Sequence, residues 1–97
     1  MYFQMARSQI FNGVEVRYGY AYAFPVLSCG VITKTPVYKL EDVCKLVGGS
    51  VQELRSSPYR FPVTISPVWF DDLAVALGNT EMAVTGINLL KAHATSN

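Results

Sequence analysis

The pattern of the chain predicts an α+β domain: an antiparallel sheet built from an N-terminal hairpin, a third strand and an edge strand at 59–66, with about four helices packed on one face. Three observations predict it. Asn12-Gly13 sits between two alternating segments, two Thr/Ser-Pro steps (Thr35-Pro36 and Ser66-Pro67) each precede a stretch of helical period, and strand-like segments precede most of the helical ones.

Taking the elements in order, a type I′ turn needs positive φ at both central positions, which Asn12 and Gly13 tolerate, so strands are expected at roughly 6–11 and 14–24. Pro25 ends the second of them. Period two then places Val14, Val16, Tyr18, Tyr20, Tyr22 and Phe24 on one face, and Glu15, Arg17, Gly19, Ala21 and Ala23 on the other. A third strand is expected near 26–33. Thr35 as cap and Pro36 at the first helical position open a helix with Val37, Leu40, Val43, Cys44 and Val47 at helical spacing, and Gly48-Gly49 stop it. Ser50 and Glu53 form a capping box for a short second helix ending near Ser57, where Pro58 blocks continuation.

Tyr59, Phe61, Val63 and Ile65 alternate with polar or proline positions, and Pro62 confines that strand to an edge. Ser66-Pro67 opens a helix running to Leu77, with Phe70, Leu73, Ala74 and Leu77 inward and Gly78 as its stop. Asn79 or Thr80 caps a last helix with Ala83, Ile87 and Leu90 inward.

The 97 residues make one small domain, expected to be 5–97, because Met1-Tyr2-Phe3-Gln4 reads as the remnant of a cleaved purification tag. Hydrophobic residues are 51% of the chain, while charged residues are 15% against a usual ~25%. Net charge is +1, distributed as +3 over residues 1–40 and −2 over 71–97. No strong field therefore steers the chain to polyanions or membranes. The least polar stretch, Ala21 to Ile32, is interrupted by Pro25 and Gly30 and is shorter than the ~20 residues of a spanning helix. With no signal-peptide pattern, and with Cys29 and Cys44 in no disulfide-scaffold spacing, a reducing, cytoplasmic compartment is expected.

Chemistry-bearing residues are few. His93 is the one histidine, near the C-terminus, and reads as a solvated side chain or a cation meeting the helix dipole. Two cysteines and that histidine fall short of a zinc ligand set. Asp71, Asp72 and Glu81 read as acids at helix starts, and Gly48-Gly49-Ser50 lacks the lysine of a phosphate loop. No catalytic residue, metal or cofactor is expected.

The aromatic ladder is the more informative feature. Two readings are open: the ladder is the core, or the small residues opposite it admit a packed helix and the ladder looks outward. On the outward reading Arg17, Tyr18, Tyr20, Tyr22 and Phe24 form an interaction surface, the partner being a second copy of the chain and in addition a small molecule or a protein. A base-stacking platform with Arg17 and Lys34 is disfavoured by the low charge. Trp69 reads as a core anchor, with an interface anchor as the alternative.

Residues 38–55 supply the alternative function. Cys44 falls where a small residue packs between two helices, Gly48 at a turn, Ser50 at a cap, and Val51 and Leu54 on the second helix. The segment resembles the helix-turn-helix of mercury-regulator and excisionase-type proteins. The resemblance covers about a fifth of the chain and implies a dimeric DNA-binding regulator contacting DNA through Ser50, Gln52 and Arg55, with the strand at 59–66 as a wing. Gly49 stands where that pattern has an apolar residue, and Glu53 would face phosphates.

Overall fold

The computed structural model describes residues 2–23 and 33–96. The protein is an α+β domain with a four-stranded antiparallel sheet in the order β1-β2-β3-β4, where β1 is Tyr2–Phe11, β2 Val14–Ala23, β3 Thr33–Lys39 and β4 Thr64–Ile65. Its helices are α1 (Leu40–Val47), α2 (Val51–Arg55), α3 (Phe70–Ala76), preceded by a 3₁₀ turn at Pro67–Trp69, and α4 (Glu81–Thr95).

The hairpin forms as its turn residues demand, with Asn12 at φ 50° and Gly13 at φ 82°. Phe11 faces Val14, Gln9 faces Val16 and Arg7 faces Tyr18. The register slips between Gln4 and Arg7, leaving Met5 and Ala6 opposite Gly19. β1 begins at Tyr2, four residues before the expected start, because β2 offers pairing positions as far as Tyr22.

The first helix is where the structure departs most from the sequence reading. Thr35-Pro36 opens no helix; both lie in β3, where Thr35 faces Ala21 and Pro36 faces Tyr20. The Leu40 N–H, on the side away from β2, donates to the Val63 carbonyl at 2.9 Å. By two-residue alternation the Pro36 nitrogen points to that same side, and β4 reaches only Tyr38 and Lys39. A missing donor costs nothing at such an open position. The expected strand at 26–33 lies, but for Thr33, outside the described residues.

α1 ends at Gly48, left-handed at φ 81°, whose N–H returns to the Cys44 carbonyl. Ser50 caps α2, accepting from the Glu53 N–H at 3.1 Å, but α2 is only five residues long. The expected strand at 59–66 shrinks to Thr64–Ile65, at the sheet edge, and Pro62 lies outside it. Arg60 has φ 53°, which breaks extension, so Phe61 and Ile65 are buried while Tyr59 and Val63 stay exposed. Thr80 caps α4 through the Ala83 N–H, and Ala83, Ile87 and Leu90 face the core as expected.

The helices pack on the sheet face that carries Val16, Tyr18, Tyr20 and Tyr38, and these close the core with Val43, Val47, Phe70, Leu73 and Leu90. α4 approaches α1 closely at Gly86, where a Cβ would lie 3.0 Å from Leu46 Cγ and from Val47 Cγ1. A Cβ at Gly49 would lie 2.9 Å from Leu77 Cδ2, the movable end of that side chain. No helix among the described residues is long and apolar enough to cross a membrane.

Candidate interaction surface

The tyrosine ladder belongs to the core. Tyr18 and Tyr20 are 8% and 6% exposed, which corrects the expectation that they form an outward face. Tyr18 packs on Tyr38 and the His93 ring, and Lys34 Nζ sits 4.2 Å from the centre of the Tyr20 ring. Tyr22 pairs through its backbone with Tyr2 and Lys34, and Phe24 lies outside the described residues. On the opposite face, where the small residues would admit a helix, an open groove of about 400 Å³ runs between Ala21, Val37 and Trp69. Trp69 also stacks against Phe61, 5.3 Å between ring centres.

Arg17 is no rim of the ladder. Its guanidinium bonds Asp42 (Nε to Oδ2 2.7 Å, Nη2 to Oδ1 3.0 Å) and also pairs with Glu41. Its backbone N–H donates to Asp42 Oδ2 at 2.9 Å. Tyr18 is the last β2 residue opposite β3, and beyond it the chain turns into α1. The carboxylate thus takes the ladder position at Arg17 that Lys39, the last residue of β3, does not fill. Arg17 holds the buried Asp42 carboxyl below the usual carboxylate range, and Asp42 and Glu41 together raise the Arg17 pKa. Nothing local in the sequence announced this pair, since the partners are 25 residues apart.

His93 is the second correction. It is half-buried rather than a free helix-end cation: its ring meets Phe11, Tyr18 and Tyr38 edge-on, and Nδ1 lies 2.8 Å from the Tyr38 hydroxyl. Burial lowers the imidazole pKa and raises that of Tyr38, so both are neutral at pH 7, and a single proton lies in the hydrogen bond between the hydroxyl and Nδ1, its owner set by the imidazole tautomer. The sequence signal was the phase of α4, because His93 follows Leu90 by three residues on the inward stripe.

The remaining reactive groups are quiet. Cys44 is buried and its thiol is pushed up to about 11 by desolvation. Asp71 forms an exposed ion pair with Lys91 at 3.1 Å. Among the described residues, no three His, Cys, Asp or Glu side chains converge to hold a metal ion. In the helix–glycine–helix corner, the Ser50 hydroxyl is taken by its own cap, and Gln52, Glu53 and Arg55 are exposed.

The outer edge of β1 is the feature the sequence reading missed. The Arg17 N–H points to the β3 side of β2, so those of Val14, Val16 and Tyr18 point to β1. Their partners Phe11, Gln9 and Arg7 therefore point back to β2, while Ser8 and Ile10 direct N–H and C=O outward. No strand among the described residues pairs with that side. Residues 6–10 are exposed, Ile10 by 58%. No family model, curated protein or solved structure matches the chain.

Proposed function

We propose that the protein is a small, non-enzymatic binding module that works as a homodimer, two copies joining along the outer edge of β1. The observation that carries this is the stretch 6–11 of the outer strand, beyond the tag-like residues, which is exposed at 6–10, holds Arg7 as its one charge and contains no proline. Natural edge strands are normally blunted by such residues, by bulges or by a cover; β1 carries its irregularity at Met5 and Ala6, which leaves Arg7 to Phe11 as the stretch that can template pairing. The non-enzymatic part is supported by the engagement of the reactive groups in structure: Asp42 in its ion pair, His93 on Tyr38, and Cys44 as a buried thiol.

Sedimentation velocity tests this reading with Ile10→Pro, which deletes an outward N–H and leaves the β1–β2 ladder intact. The wild-type protein should sediment as a dimer at tens of micromolar and Ile10→Pro as a monomer with a similar Tm. A wild-type monomer at that concentration overturns the proposal.

The helix–glycine–helix corner favours a second reading, the dimeric DNA-binding regulator, because Gln52 and Arg55 are both exposed on a helix capped by Ser50. Duplex DNA of mixed sequence, titrated at low and moderate salt, tests it. Salt-sensitive binding that Arg55→Ala weakens at unchanged Tm supports this reading. Absence of binding at high micromolar protein retires it.

A further inference from the structure

Resting on edge pairing through β1, we infer the register of the dimer: the second copy runs antiparallel with Gln9 on the molecular twofold and Ser8 opposite Ile10 of the second copy. The geometry leaves little choice. The regular part of the edge is Arg7 to Phe11, because the register slip at Met5 and Ala6 skews the strand below it and the turn at Asn12, φ 50°, ends it above. Hydrogen-bonded pairs across an antiparallel interface must join outward-pointing residues to outward-pointing residues. Placing Ser8 opposite Ser8 sends Ile10 to face Ala6 in the slip. Placing Ile10 opposite Ile10 sends Ser8 to face Asn12 in the turn. Centring on Gln9 joins Ser8 to Ile10 twice within the regular stretch.

The side chains fit a second copy rather than an unrelated strand. Gln9 is exposed, and its amide both donates and accepts, so it can satisfy a copy of itself across the twofold. Arg7 falls opposite Phe11, about 13 Å along the strand from its own symmetry mate, beyond the ~8 Å screening length at physiological salt. Ile10, exposed in the single chain, comes diagonal to Ile10 of the second copy at about 7–8 Å and loses water there. The product is one continuous antiparallel sheet, with the four strands of each copy meeting at β1.

Cysteine cross-linking of the full chain tests the register separately from the pairing. A non-hydrogen-bonded antiparallel pair holds its Cα atoms about 4.5 Å apart, within disulfide range, so Gln9→Cys should form a covalent dimer under mild oxidation. Ser8→Cys meets its own mate only diagonally and should cross-link at least about tenfold more slowly. Wild-type protein, with Cys29 and Cys44, sets the background. Faster cross-linking of Ser8→Cys than of Gln9→Cys would overturn the register while leaving β1 pairing in place. If neither variant cross-links above background, both the register and β1 pairing fall, whether the protein sediments as a monomer or as a dimer joined elsewhere.

Discussion

The two margins of the sheet are finished in opposite ways. On the β3 side the end next to α1 is closed: Leu40 reaches Val63, β4 pairs with Tyr38 and Lys39, and Asp42 takes the Arg17 N–H where β3 gives way to helix, while at Pro36, which β4 does not reach, there is no donor to satisfy. On the β1 side Ser8 and Ile10 face outward with no strand among the described residues beside them. A sheet margin is closed by whatever the fold brings to it, here a helix carboxylate, a two-residue strand and a proline. The margin left open is the one through which a second chain can extend the sheet.

Breaking the closed margin should cost most. Asp42→Ala strips the Arg17 N–H and guanidinium of their acceptor and should lose about 2–3 kcal/mol in denaturant unfolding, moderated by the half-exposed Arg17 side chain regaining water. The same pair sets an acid limit. Because the folded-state pKa of Asp42 lies below its unfolded value, its contribution is fully present above about pH 4 and fades as pH falls below that. Asp42→Asn should therefore flatten the acid limb of a stability profile, and an unchanged limb would place the acid sensitivity elsewhere.

Gln9→Pro and Ile10→Pro sharpen the comparison one residue apart. The first deletes an N–H directed at Val16 and should cost about 2 kcal/mol of monomer stability. The second should cost much less, while removing the dimer. Equal losses of Tm would show that the outer side of β1 is already engaged.

Away from the margins the effects are smaller. Gly86→Ala gains helix propensity of about 1 kcal/mol but drives a Cβ into Leu46 and Val47, and the overpacking should leave the variant about 1 kcal/mol less stable by chemical denaturation. Tyr38→Phe removes only the hydroxyl held by His93 and should cost about 1 kcal/mol. Burial lowers the pKa of His93, so its neutral packing contributes above about pH 6.5 and weakens as pH falls below that; His93→Phe should remove this step from the profile.

Much of the fold was readable because it depends on near neighbours. Asn12-Gly13 dictates its turn, Ser50 and Thr80 cap the helices they precede, and Gly48 ends α1, each through backbone geometry within a few residues. Thr35-Pro36 was misread because a proline suits the first turn of a helix and the open side of an edge strand equally well; only pairing with Ala21 and Tyr20 decides between them. The interaction surface was legible only as a choice. Period two placed the tyrosines together, but which face of β2 the helices cover depends on where the chain goes after Lys39.

The sequence by itself determined the class of fold, the hairpin, the caps and stops of the helices, and the inward stripe of α4, since local backbone preference and hydrophobic period specify these. Tertiary structure alone decided that Tyr18 and Tyr20 are core, that Asp42 completes the ladder of β2, that His93 hydrogen-bonds Tyr38, and that no strand among the described residues pairs with the outer side of β1. Each of these joins residues far apart in the chain. Whether a polar group is buried, paired or exposed depends on the surface that long-range packing places against it.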